Sequence, residues 1–182
     1  MDNGASSYRR FLDGDESAVD EIMEELFFPL VFFVNRYLQD LPAAEDVAMD
    51  AMTELFFHKH RYNFKVSLKT YVFLLGKSRA LNYLKRRKRL REAELTEAED
   101  QTELEELERR ALDSERKRVV NDALAQLPEE MRLAVHLVFF EELSYEEAAR
   151  VMKKNPKQVD NLLFRAKKSL RAILGEEGKQ LI

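Results

Sequence analysis

The sequence predicts an all-α protein, with two small helical domains joined by an acidic linker and a helix-turn-helix in the C-terminal domain. Apolar residues recur at spacings of three and four through most of the 182 residues, as they do in amphipathic helices. Strand signals are missing, because the chain has no sustained two-residue alternation and only 5 Gly. Charge divides the chain as well, since a basic, an acidic and a second basic block follow one another.

The charge blocks are dense. Residues 77–91 contain eight Lys or Arg and no acid, whereas residues 92–115 contain eleven acids and only two Arg. Residues 153–171 contain seven bases and a single acid, Asp160. One charge run usually marks a solvated face, but two basic blocks that each close an amphipathic helix favour binding to nucleic acid.

The first domain is predicted to span residues 1–91 and to contain three helices after a polar start. The first helix has a possible bend at Pro29. The second has Pro42 in its first turn, an apolar stripe on one side and acids on the other, which the helix dipole favours near its start. A loop rich in aromatic and basic residues, 58–67, precedes the third helix, for which Ser67 can serve as the N-cap.

A polar linker and four short helices are predicted to follow. Residues 92–114 have too few apolar side chains to bury much surface, so we interpret them as an acidic linker that is partly helical at most. In the second domain, residues 115–182, Pro128 opens the second helix, and a capping box that starts at Ser144 opens the third. Asn155 and the proline after it open the fourth. A single larger bundle is the structural alternative.

The last two helices have the arrangement of a helix-turn-helix, whose second helix enters the major groove of DNA. Lys157, Gln158 and Asn161 would meet base edges, because amide side chains can bond adenine in two places and Lys can donate to guanine. Arg165 and Lys168 lie further along, where phosphates are the expected partners. Any helical hairpin can imitate this pattern, so by itself it favours DNA binding only moderately.

The composition argues against several other kinds of site. With 0 Cys the chain has no disulfide, thiolate metal site or cysteine nucleophile. No nucleophile triad, P-loop or dinucleotide fingerprint appears, and His58 and His60 lack a third ligand nearby, so we predict no enzyme, no cofactor and no metal. The longest apolar run, 27–34, is too short to cross a bilayer, and residues 1–7 do not resemble a signal peptide. We therefore expect a cytoplasmic protein without membrane insertion.

Several motifs resemble a known family. Leu127-Pro128, Leu143-Ser144-Tyr145-Glu146-Glu147 and Arg165-Ala166-Lys167-Lys168 are similar to the promoter-binding domain of bacterial RNA polymerase sigma factors, in particular the extracytoplasmic-function (ECF) group. Ala44-Glu45-Asp46-Val47 and the basic third helix resemble the first domain of the same group. Before the last helix this chain reads Lys153-Lys154-Asn155-Pro156 where the family usually has a Gly, which leaves the promoter sequence open.

The resemblance implies a factor that binds core RNA polymerase and directs promoter-specific transcription initiation, with its acidic linker in a positively charged polymerase channel. It implies that polymerase is bound by the acidic second helix through Glu45, Asp46, Asp50 and Thr53. It implies contacts to the minus-ten DNA by Lys59, Arg61, Tyr62, Phe64, Lys65, Tyr71, Lys77 and Arg79. It implies contacts to the minus-thirty-five element by Lys157, Gln158, Asn161, Arg165 and Lys168. An anti-sigma factor is a further candidate partner.

Other interpretations stay open on the residues alone. A helix-turn-helix regulator would bind palindromic duplex DNA as a dimer and without polymerase. An anti-sigma or adaptor protein that acts only by protein contact would not need two basic blocks. For the aromatic residues of the loop, packing in the core is the alternative to stacking on unpaired bases.

Overall fold

A computed structural model describes residues 4–94 and 115–175, and within these ranges every regular element is helical. The chain divides into two compact units, Met1–Leu104 and Glu105–Ile182. The all-α class with two helical domains is therefore confirmed. Most of the predicted acidic linker lies outside the described residues. In the part that is described, no helix is long and apolar enough to span a membrane.

The described residues of the first unit, 4–94, contain four α-helices and a short 3₁₀ turn. The α-helices are α1 (Ala5–Leu12), α2 (Ser17–Leu38), α3 (Leu41–Phe57) and α4 (Leu68–Glu94), and the 3₁₀ turn is Lys59–Arg61. Helix α1 corrects the prediction of a polar start without a helix. It buries a single residue, Tyr8, so it has no repeating apolar stripe that the sequence could reveal.

Helices α2, α3 and α4 pack against one another around a core that α2 crosses. Helix α2 continues through Pro29, and its buried Phe33 stacks on Phe73 of α4 with the ring centroids 4.7 Å apart. The crossing of α2 and α4 is close at Gly76, where an added Cβ would lie 2.6 Å from the Cδ1 atom of Leu30. A side chain at position 76 would therefore force Leu30 to shift within a packed core.

Local capping groups define where α3 and α4 begin. The Asp40 carboxylate accepts a hydrogen bond from the Ala43 amide at 3.1 Å, and Pro42 occupies the first turn of α3 as predicted. The Ser67 hydroxyl accepts one from the Thr70 amide at 3.2 Å, which confirms Ser67 as the N-cap of α4. The Ser67 cap therefore holds the C-terminal end of the 58–67 loop at the start of α4.

Over residues 115–175, the second unit contains the four predicted helices and one element that was not predicted. The helices are α5 (Glu115–Ala125), α6 (Glu129–Val135), α7 (Tyr145–Met152) and α8 (Pro156–Leu174). The addition is a π-helical turn, His136–Phe140, that continues α6. The capping box at the start of α7 is confirmed, because Ser144 Oγ accepts from the Glu147 amide and the Glu147 carboxylate accepts from the Ser144 amide.

Between α7 and α8 the chain turns at Lys153, which has a left-handed φ of +57°. The Lys154 amide donates to Ala149 O at 2.8 Å and the Lys153 amide to Arg150 O at 3.2 Å, the two bonds of a Schellman motif. Glycine is the residue that adopts this conformation without strain.

Replacing Lys153 by Gly is therefore expected to stabilise the second unit by about 1 kcal/mol, because it removes the left-handed strain while the motif's hydrogen bonds stay. Urea denaturation monitored by circular dichroism measures the change. Lys153→Ala is the matched control, since it removes the same charge but keeps a Cβ atom. Equal stability of the two variants would contradict the prediction.

Candidate DNA and polymerase interfaces

Helix α8 has one buried and one exposed face. The buried side chains are Val159, Leu162, Leu163 and Ala166, and they pack against α5, α6 and α7. Lys157, Asn161, Arg165 and Lys168 are all exposed, as a DNA-binding face requires. Gln158 is exposed as well, so the structure brings all five predicted minus-thirty-five contacts to the outside of one helix.

The fifth predicted contact, Gln158, is used by the helix itself. Its Oε1 atom accepts a hydrogen bond from the Asn155 amide at 2.9 Å, and Asn155 Oδ1 accepts one from the Gln158 amide at 2.8 Å. This is a second capping box at the start of α8. A two-bond contact with adenine needs both the oxygen and the nitrogen of the amide, so Gln158 can offer only its Nε2 group while the box is intact.

The exposed face of α8 also carries an aromatic residue that was not among the predicted DNA contacts. Phe164 is 70% exposed and lies one helical turn after Asn161 and one turn before Lys168. Apolar side chains in the major groove contact the methyl group of thymine. Phe164 could have been identified from the sequence, because it follows Asn161 by three residues and precedes Lys168 by four.

Helix α3 presents the predicted polymerase contacts on its solvent side. Glu45, Asp46, Asp50 and Thr53 are exposed, and the Asp50 side chain is 70% exposed. Two apolar side chains on the same helix were missed: Met49 is 45% and Phe57 is 82% exposed. An exposed surface that combines acids with large apolar side chains is typical of a protein-binding face.

The aromatic residues of the predicted minus-ten site form a cluster whose centre is buried. Tyr62 is only 4% exposed, and its hydroxyl donates to Val66 O at 2.7 Å across the loop. Its ring lies 4.6 Å from that of Phe64 and 5.1 Å from that of Tyr71, measured between centroids. Tyr62 therefore serves as core in this conformation, whereas the partly exposed Phe64 and Tyr71 retain surface on which an unpaired base could stack.

The basic residues predicted for the minus-ten DNA differ in their surroundings. Lys59 and Lys65 are exposed, and Lys77 is partly exposed. Arg79 instead donates to Glu54 Oε2 through its Nε and Nη2 atoms, at 3.1 and 2.6 Å, and Arg61 bonds the other oxygen of Glu54 at 2.9 Å. The hydrogen bond from Arg79, reinforced by the charges of both arginines, lowers the pKa of Glu54.

Metal binding is not supported by the described residues. Within 4–94 and 115–175, no group of three or more His, Asp or Glu side chains is placed to hold a metal ion. His58 and His60 are both exposed. The described surfaces instead present basic, aromatic and acidic side chains.

Comparison with protein families gives two matches, one for each unit. Residues 24–90 match the family described as Sigma-70 region 2. Residues 117–170 match the family described as Sigma-70, region 4. The first match contains the whole of α3 and the aromatic loop, and the second contains the helix-turn-helix.

Comparison with characterised proteins and solved structures agrees. The chain is 26% identical over 160 residues to the ECF RNA polymerase sigma factor SigM of Bacillus subtilis, which covers 85% of this chain and 94% of SigM. It is 28% identical to the RNA polymerase sigma-H factor of Pseudomonas aeruginosa, over 86% of each chain. Its fold is similar to that of the sigma factor RpoE from Bartonella quintana, with a TM-score of 0.63, 17% identity, and coverage of 86% and 96% of the two chains.

Proposed function

This chain belongs to the sigma-70 family, in its ECF group, and from that membership we propose how its two units divide the work of a factor that directs RNA polymerase to promoters. Residues 1–91 form the polymerase-binding and minus-ten domain, residues 92–114 the acidic linker, and residues 115–182 the minus-thirty-five domain. Sigma factors are initiation factors, so the chain performs no reaction of its own and works in the cytoplasm, where polymerase is.

The observation that carries the proposal is the exposed face of α8. Lys157, Asn161, Phe164 and Lys168 follow one another at spacings of four, three and four residues, which places them in a single row along the helix. A row that offers a cation, an amide, an apolar ring and a second cation can meet base edges and flanking phosphates in one groove. The buried opposite face holds this row in place.

The first unit would act on polymerase and on the minus-ten element. The acids of α3 are suited to a basic surface on polymerase, and exposed Met49 and Phe57 would supply the apolar centre of that contact. Lys59 and Lys65 would bind the phosphates of the unpaired strand, while Phe64 and Tyr71 would stack on its bases. The acidic linker would lie in the positively charged channel of polymerase.

An anti-sigma factor is the further partner that we propose. The structure of the Bartonella quintana sigma factor RpoE is that of a complex with the anti-sigma factor NepR. A protein that covers the exposed acids and apolar side chains of α3 would compete with core polymerase for this chain.

Run-off transcription tests the proposal. Core polymerase with this protein and a library of genomic fragments from the encoding bacterium is expected to start transcription at a discrete set of sites that core polymerase alone does not use. Sequencing the transcripts locates those sites and, upstream of them, the two promoter elements. No added start sites, together with tight binding of palindromic duplex DNA by the protein alone, would favour the regulator alternative instead.

A further inference from the structure

Helix α1 lies against the 58–67 loop and is fixed to it by Tyr8. The Tyr8 side chain is fully buried, and its hydroxyl donates a shared hydrogen bond to Leu55 O and Lys59 O, at 3.0 and 2.9 Å. Its ring meets that of Tyr62 edge to face at 5.2 Å. Burial raises the pKa of Tyr8 to about 12, so the hydroxyl remains a donor at neutral pH. Helix α1 thus packs against the predicted minus-ten site.

Two neighbouring arginines on α1 have different partners. Arg10 bonds Asp15 at 2.6 Å and Glu21 at 2.8 Å, so two carboxylates neutralise it. Arg9 is exposed and makes no ion pair with the residues that the structure describes. Its guanidinium carbon instead lies 5.0 Å from the centroid of the Phe64 ring. Arg9 therefore keeps its charge available to a ligand, and Arg10 does not.

Stacking on Phe64 holds the guanidinium next to the base-binding loop. A guanidinium that rests on an aromatic ring keeps the N–H groups at its edge free to donate to a phosphate. Phe64 itself has a left-handed φ of +60°, which is unusual for a residue with a side chain. Lys65, the next residue in the chain, is an exposed cation of this loop.

We propose that Arg9 is a DNA-binding residue that contacts a phosphate of the unpaired minus-ten strand, beside the base that stacks on the loop. The proposal rests on the function proposed above and adds a contact from outside the segment that matches the family, which starts at residue 24. Arg10 is the matched control, because its charge is already paired with Asp15 and Glu21. Replacing either arginine by Ala changes the net charge by the same amount.

The test measures binding of holoenzyme, reconstituted from core polymerase and each variant, to a fluorescent single-stranded oligonucleotide that carries the minus-ten element mapped by run-off transcription. Arg9→Ala is expected to bind about 5-fold more weakly over a salt range of about 50 to 200 mM. The slope of the logarithm of the binding constant against the logarithm of the salt concentration should fall in magnitude by about 0.7, which is the value for one phosphate contact on a single strand. Arg9→Lys should keep the slope, because the charge remains.

Arg10→Ala is expected to leave the slope unchanged, with thermal unfolding as the check that each variant folds. An unchanged slope for Arg9→Ala, or the same loss for Arg9→Ala and Arg10→Ala, would overturn the assignment of Arg9. Failure of the proposed function is distinguishable, because wild-type holoenzyme would then bind the oligonucleotide no better than core polymerase alone.

Discussion

Replacing Glu45 and Asp46 together by Lys is expected to lower the affinity for core RNA polymerase by about 100-fold, because two like-charge contacts would replace two favourable ones at the interface proposed for α3. Both side chains are exposed, so the substitutions should leave the fold intact. Competition for a fixed amount of core polymerase against a labelled wild-type protein measures the affinity.

Asp20→Lys combined with Glu24→Lys is the matched control for this experiment. These two exposed acids lie on α2, and their replacement changes the net charge of the same unit by the same amount. If attraction were only between overall charges, both double variants would lose affinity equally. A loss confined to the α3 variant assigns the contact to α3, whereas equal losses would refute a specific interface there.

Elements set by local chemistry were predictable from the sequence. The starts of α4, α7 and α8 all depend on a side chain that caps an amide three residues on, and Ser67, Ser144 and Asn155 can be recognised from their neighbours alone. The apolar periodicity likewise indicated which sides of α2, α3 and α8 are buried, but not which side of α4 is. The second capping box could also have been found, because Asn155 and Gln158 have the same spacing as Ser144 and Glu147.

What the sequence could not reveal depends on residues that are distant in the chain. Tyr62 is buried because Tyr8, more than fifty positions earlier, packs against its ring. The role of Arg79 depends on Glu54, which is 25 positions earlier. Neither pairing leaves a mark on local periodicity, so both residues were assigned to DNA by type and position alone.

A buried pair in the second unit was missed as well, although its two members are close together in the chain. His136 and Glu141 are each about 7% exposed, and His136 Nε2 lies 3.3 Å from Glu141 Oε1. The π-helical turn His136–Phe140 has five residues, and it brings the side chains of His136 and Glu141 to the same side of the chain. An acid that follows two aromatic residues gives no sequence signal that it is buried.

The ion pairs around Glu54 lead to the second large effect. Glu54→Ala is expected to lower the free energy of unfolding of the first unit by about 1–2 kcal/mol, since it leaves the partly buried guanidinium of Arg79 without its main acceptor. Arg79 is also 3.5 Å from Asp50, but the Asp50 side chain is 70% exposed. Asp50→Ala, the matched control, should therefore cost less than about 0.5 kcal/mol.

The dependence on pH separates the charge of Glu54 from its shape. Because folding lowers the pKa of Glu54, its stabilising contribution is complete above the ordinary value of 4.5 and is lost as the pH falls through the lower, folded pKa. Wild type should therefore be more stable than Glu54→Gln at pH 7, and the difference should shrink steadily as the solution is acidified below pH 4.5. Urea unfolding of both proteins across this range measures it. A difference that is independent of pH would mean that Glu54 acts through packing, and that Arg61 and Arg79 are not held by its charge.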